Sequence, residues 1–215
     1  MEVKIMEKIK DMKYFLLAIG IIAVEQYPTF YLKANQPLWQ VWLLITVFLF
    51  ISLGTLWIGK RLAIISSENI LGKWQTWKIS LIGFFSLFIL KITGGIVLVI
   101  EKGNGATTAN QSALEQLTVT PILLFIITVI TAPIVEEMVF RGLILNKTFH
   151  FSYAGIAVSS FLFALLHTPM DFGSWIIYGG MGLVLGMVYK HSKKIEHALM
   201  IHFLNNFVAI TLMFL

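Results

Sequence analysis

From Tyr14 to Leu215 the chain is a succession of apolar runs, each close to the length of a bilayer crossing, separated by short polar or basic stretches. At about 1.5 Å rise per residue, some twenty apolar residues span the hydrocarbon of a membrane as a helix. The pattern therefore restricts the chain to an all-α, polytopic transmembrane helix bundle. The runs are Tyr14 to Leu32, Leu38 to Ile58, Trp77 to Ile100, Thr118 to Phe149, Phe151 to His167, Ser174 to Tyr189 and Ile195 to Leu215. That predicts about seven spans. The fourth run is long for one crossing and holds Pro133, and a break there would make eight. Composition agrees: 58% of the residues are hydrophobic and 13% charged, against about 45–50% and 25% in soluble domains. No cysteine is present, which excludes disulfides and thiol catalysis.

The basic residues set the expected orientation. With the N-terminus cytoplasmic, thirteen of the sixteen lysines and arginines fall on the cytoplasmic side, including Lys4, Lys8, Lys10 and Lys13 at the start of the chain. Lysine and arginine are concentrated in cytoplasmic loops of membrane proteins, so the net charge of +5 reflects topology and no nucleic-acid partner. The basic start resembles a signal peptide, but no small-residue cleavage site follows, and the first run is expected to stay as an anchor. Residues 59–78 read as a basic surface-lying loop or short helix, and 101–117 as a solvated loop. Gly179, Gly180, Gly182 and Gly186 would let helices approach closely in lipid.

Within the fourth run stand Glu136, Glu137 and Arg141. A charge at that depth costs about 2.5–3.5 kcal/mol, so such residues are rare and usually functional. Glu137 and Arg141 are four apart and share a helix face, so they are expected to pair. Glu136 lies roughly 140° around the helix from Arg141 and points elsewhere, free for chemistry. Two more polar groups follow: Phe163 to His167, and His202 with Asn206 four residues on. If the fourth and fifth runs turn back near His150, Glu136 and His167 come within about one helical turn of the same depth. Glu25 and Lys91 are also intramembrane charges; neither has a partner at helical spacing, which leaves each other. His150, His191 and His197 sit at span ends, where histidine needs no special reason.

The series EExxxR (Glu136 to Arg141), FxxxH (Phe163 to His167) and HxxxN (His202 to Asn206) resembles the three motifs of the CAAX protease and bacteriocin-processing (Abi) family. These are intramembrane endopeptidases that include the type II CAAX prenyl proteases. The resemblance covers roughly residues 118–215, dividing the chain into N-terminal spans (1–117) and a catalytic membrane domain. It implies hydrolysis of a peptide bond in a membrane-associated peptide or protein. Glu136 would act as general base on water with His167, while His202 and Asn206 donate hydrogen bonds to the oxyanion. A metal-dependent variant would hold zinc on Glu136, His167 and His202; the lack of HExxH and the presence of Asn206 beside His202 favour the metal-free form. Two rivals remain: a non-catalytic immunity protein that binds a bacteriocin or its receptor, and an ion-coupled transporter. The expected setting is the plasma membrane of a bacterium, and the expected substrate a bacteriocin-like or signalling peptide that partitions into the lipid bilayer.

Overall fold

The computed structural model describes residues 2–70 and 72–215, with side chains from Asp11 onwards apart from residue 71. Lys4, Lys8 and Lys10, counted above as cytoplasmic, thus lie outside the described side chains. The helices are α1 (Glu2–Gln26), α2 (Leu38–Arg61), α3 (Trp74–Lys102), α4 (Ala109–Gln116), α5 (Pro121–Thr148), α6 (Tyr153–Leu166), α7 (Phe172–Ser192) and α8 (Ile195–Met213). A short 3₁₀ segment, Tyr27–Tyr31, ends α1. No strand occurs among the described residues, as a bilayer demands of a chain that does not close into a barrel.

Among the described residues five helices are long and apolar enough to cross a membrane: α2, α3, α5, α7 and α8. Of the other two expected spans, α6 is apolar but has 14 residues, about 21 Å at the helical rise. Helix α1 has 25 residues, but its first half is dense in charge. The chain does not turn back at Pro133. Proline removes a backbone donor and crowds the preceding turn, and here wide π-type turns over Ile126–Thr131 and Glu137–Thr148 carry the helix through it.

Helix α5 is the centre of the bundle. Of its apolar stretch, 67% is buried, against 22–39% for the other four crossings. Val135, Met138, Val139 and Leu143 pack with Ala18 and Ile21 of α1, Leu87 of α3, Phe163 of α6, Leu185 of α7 and Ile201 of α8. The outer faces carry exposed Trp39, Trp42, Trp57 and Trp74, near helix ends where indoles favour the lipid interface.

Two segments expected to be irregular or basic surface are more specific than that. Residues 101–117 contain α4, because Thr108 caps it by accepting a hydrogen bond from Gln111 N at 3.1 Å. The side-chain pair Gln111–Glu115, at 2.8 Å, supports it one turn on. Residues 62–73 hold no helix among those described; they are tied to the α7–α8 turn. Glu68 pairs with Lys73 at 2.7 Å and Lys194 at 3.3 Å. Hydrogen bonding to these two ammonium groups holds the Glu68 carboxyl below its ordinary range. Lys194 Nζ also donates to Ser66 Oγ. His150 is likewise engaged, on Asp11 at 3.0 Å, which fixes α1 to the α5–α6 turn.

Of the four glycines singled out in α7, Gly182 is the closest approach: a Cβ there would lie 2.8 Å from Ser160 Cα of α6. Gly179 meets nothing within 4 Å. A second contact of backbones, Gly173 against Gly94, joins α7 to α3. We expect Gly182→Ala and Gly179→Ala to change stability in opposite directions. The first forces overpacking worth about 1–3 kcal/mol; the second gains helix propensity of up to about 1 kcal/mol. Thermal unfolding in detergent, followed by circular dichroism, measures both, and equal effects would refute the close packing at Gly182.

Candidate active site

The site grows out of adjacent carboxylates on α5 that face different surroundings. Glu137 is fully buried, and its Oε1 lies 3.2 Å from Arg141 Nη1 and 3.0 Å from His202 Nδ1. Arg141, equally buried, donates from Nη2 to the Gly182 carbonyl at 3.1 Å. Its guanidinium also lies 4.5 Å from the centre of the Phe163 ring. One ion pair on α5 therefore holds α6, α7 and α8 at once. Phe163 earns its place in the motif by touching Arg141, His167 and His202 together.

Glu136 faces the other way, into a cavity of about 600 Å³. Its Oε2 is 3.9 Å from His167 Nε2 and 3.8 Å from His202 Nε2. These separations exceed a hydrogen bond, about 3.2 Å at most, and Oε2 has no hydrogen-bond partner among the described residues although it is buried. The far nitrogen of each imidazole explains what the gap contains. His167 Nδ1 bonds the Phe163 carbonyl at 2.9 Å, and His202 Nδ1 bonds the Glu137 carboxylate. Both partners only accept, so each Nδ1 carries the hydrogen and each neutral imidazole presents a lone pair at Nε2. A carboxylate oxygen and two lone pairs then converge on one spot. A water molecule, with two hydrogens to give and an oxygen left free, suits that spot.

The expected residues are thus brought together: Glu136, His167, His202 and Asn206 all line the cavity, and Glu137 pairs with Arg141. Asn206 donates from Nδ2 to the Thr128 carbonyl at 2.9 Å and accepts from Asn205 Nδ2 at 2.8 Å. One of its N–H groups remains available. His202 needs a second proton, as imidazolium, before its Nε2 can donate to an oxyanion.

Glu25 and Lys91 do not pair with each other. Glu25 is bonded by Gln26 at 2.7 Å, and Lys91 Nζ donates to Asn205 Oδ1 at 3.2 Å. Both line the same cavity. Two contributors escaped the sequence reading. Asn205 lay inside a recognised motif, but its neighbour took the role. Tyr178 carried no signal; its ring stacks on His167 at 4.4 Å and its hydroxyl meets Thr108 at 2.9 Å.

For zinc, two ligands about 2.0–2.1 Å from one tetrahedral ion stand roughly 3.4 Å apart. The oxygen and the two nitrogens here are more widely set. Among the described residues no group of three or more His, Asp or Glu is arranged to hold a metal ion. Glu136 Oε2 would have to approach the two imidazole nitrogens by about 0.4–0.5 Å to share a tetrahedral ion with them.

Removing one partner of the central pair leaves the other charge buried, which costs about 3–5 kcal/mol, whereas removing both restores most of that. Arg141→Met should therefore lower the unfolding temperature sharply, and Glu137→Leu with Arg141→Met should recover most of the loss. The readout is thermal unfolding in detergent; a double variant as unstable as the single one would refute a structural ion pair.

Residues 118–208 match the family described as type II CAAX prenyl endopeptidase Rce1-like. Among similar proteins, UPF0177 protein YvdC of Lactococcus lactis subsp. lactis (strain IL1403) is 35% identical over 128 residues, 59% of this chain and 49% of that one. The putative membrane peptidase YdiL of Bacillus subtilis (strain 168) is 28% identical over 180 residues, 81% of this chain and 71% of YdiL. The membrane-embedded CAAX protease MroQ of Staphylococcus aureus (strain USA300) is 32% identical over 137 residues, 59% of this chain and 54% of MroQ. The chain thus spans about half the length of YvdC and MroQ. No solved structure matches it. The matched residues include both carboxylates, Arg141, both imidazoles of the cavity and Asn206, and over this segment the chain is similar to the Rce1-like type II CAAX prenyl endopeptidase family.

Proposed function

We propose that the protein is an intramembrane endopeptidase that hydrolyses a peptide bond of a membrane-associated peptide or protein. The observation that carries this reading is the convergence of Glu136 Oε2 with the Nε2 lone pairs of His167 and His202 at a membrane-embedded cavity. The similarity to YdiL and MroQ, whose names describe a putative membrane peptidase and a membrane-embedded protease, supports it.

In this mechanism His202 first takes up a proton from solvent at Nε2, and a water molecule then sits between the two remaining acceptors, Glu136 Oε2 and His167 Nε2. Glu136 takes one of its protons as the oxygen attacks the substrate carbonyl carbon, and His167 holds the other hydrogen. The carbonyl electron pair moves onto oxygen, where His202, as imidazolium backed by Glu137, and the spare N–H of Asn206 stabilise it. One such donor is worth about 2.7–4 kcal/mol. The tetrahedral intermediate then collapses, the C–N bond breaks, and Glu136 passes its proton to the leaving nitrogen. The carboxylate is regenerated and no atom is left over.

The chain is assigned to a bacterial plasma membrane with its N-terminus cytoplasmic. The cavity is lined by Thr29, Thr107 and Leu117, at the bundle end of the α1–α2 and α3–α5 connections, which is then the extracytoplasmic end. An apolar bacteriocin-like or signalling peptide delivered by the bilayer is the preferred substrate class. Residues 118–215 form the catalytic part, and 1–117 supply spans that wall the cavity.

Two outcomes test this. Glu136→Gln in vesicle-reconstituted protein should lower peptide cleavage about 10²–10⁴-fold, the usual worth of a positioned base, with unfolding unchanged; a Glu136→Gln protein as active as wild type would end the peptidase reading. Cleavage should also persist in 1,10-phenanthroline. A stoichiometric zinc whose removal stops turnover would replace the metal-free mechanism with one using Glu136, His167 and His202 as ligands.

A further inference from the structure

The geometry points to Lys91 as a carboxylate-binding subsite of the same cavity, taking an anionic group of the substrate a few residues from the scissile bond. This inference rests on the peptidase reading above.

Lys91 lies in the middle third of α3, where an ammonium group costs about 2.5–3.5 kcal/mol and normally finds a counter-ion. Among the described residues none is within ion-pair distance. The acids are engaged elsewhere: Glu68 with Lys73 and Lys194, Asp171 with Lys102, Glu137 with Arg141. Glu25, the partner expected from sequence, turns to Gln26. The one polar contact of the ammonium is a neutral amide, Asn205 Oδ1. A lysine has three donors, so two remain for the cavity it lines.

Its position relative to the chemistry is set by α8. Asn205 follows His202 by three residues and shares its helix face, with Cβ atoms about 5–6 Å apart. The ammonium is thereby held beside Asn205, about one helical turn along α8 from His202, in the cavity that Glu136 and His167 also line. Asn206, with its free N–H, lines the same cavity. Lys91 is the sole lysine or arginine on the cavity wall among the described residues, and Glu25 and Glu136 line it too. That mixture suits a singly charged carboxylate. A phosphate, carrying more negative charge, is opposed by both acids and lacks an arginine fork to hold it.

Two sources supply such a group, a free C-terminus or an Asp or Glu side chain, and paired peptides separate them. The probes are apolar peptides made as C-terminal acid or carboxamide, and the same peptides with internal Asp or Glu exchanged for Asn or Gln. Full-length protein in phosphatidylcholine vesicles is assayed for cleavage by mass spectrometry. Binding is measured by fluorescence anisotropy in the Glu136→Gln background. Wild type should prefer the carboxylate member of one pair by at least about tenfold, mainly through KM. Lys91→Met should bring that ratio close to one, and Lys91→Arg should retain it. Because Lys91→Met removes a buried charge, it should fold at least as well as wild type. A wild type indifferent to the carboxylate, or a preference that survives in Lys91→Met, overturns the subsite. Cleavage without dependence on Lys91 leaves the peptidase reading standing while the subsite falls. Binding that depends on Lys91 without any cleavage does the reverse.

Discussion

Everything in the membrane-embedded half of this protein leans on the ion pair between Glu137 and Arg141. Both side chains have no exposure, and the pair is reached by one helical step along α5. A pair so placed contributes little stability by itself, because desolvating two charges offsets their attraction. What it contributes is position. The guanidinium reaches the backbone of α7 at Gly182 and the ring of Phe163 on α6, and the carboxylate fixes His202 on α8. Gly182 packs directly against the backbone of Ser160 on α6, so the arginine contact and the helix crossing share the same small residue.

The consequence for chemistry is a matter of hydrogen bookkeeping. A histidine near a carboxylate is ambiguous until its second nitrogen has a partner. Here a carboxylate behind His202 and a peptide carbonyl behind His167 each claim the Nδ1 hydrogen. Two adjacent glutamates consequently play unlike parts. Glu137 sets the state of an imidazole, and Glu136, one residue away on another face, meets that imidazole across a gap sized for water.

The cavity is also connected to the surface. Tyr178 stacks on His167 and bonds Thr108, the cap of α4. The chain Lys91–Asn205–Asn206–Thr128 crosses from α3 through α8 to α5. Tyr178, Thr108, Lys91 and Asn205 lie outside the three motifs or unassigned within them, and the two links touch His167 and Asn206.

Local properties were legible in the chain itself. Apolar runs of bilayer length demand helices, and helical periodicity paired Glu137 with Arg141 while turning Glu136 away. The same periodicity put His202 and Asn206 on one face. Each of these follows from rise and angle per residue within a single helix. What lies between helices did not follow. Glu25 and Lys91 looked like mutual partners because neither has one at helical spacing, yet Glu25 is bonded by its neighbour Gln26 and packing gave Lys91 to Asn205. Tyr178 looked like any aromatic in a span. The tautomers of His167 and His202, the continuity of α5 through Pro133 and the choice of Gly182 over Gly179 were likewise settled by tertiary structure. The reason is that each depends on an atom contributed by another turn or another helix, and only the folded bundle sets that distance.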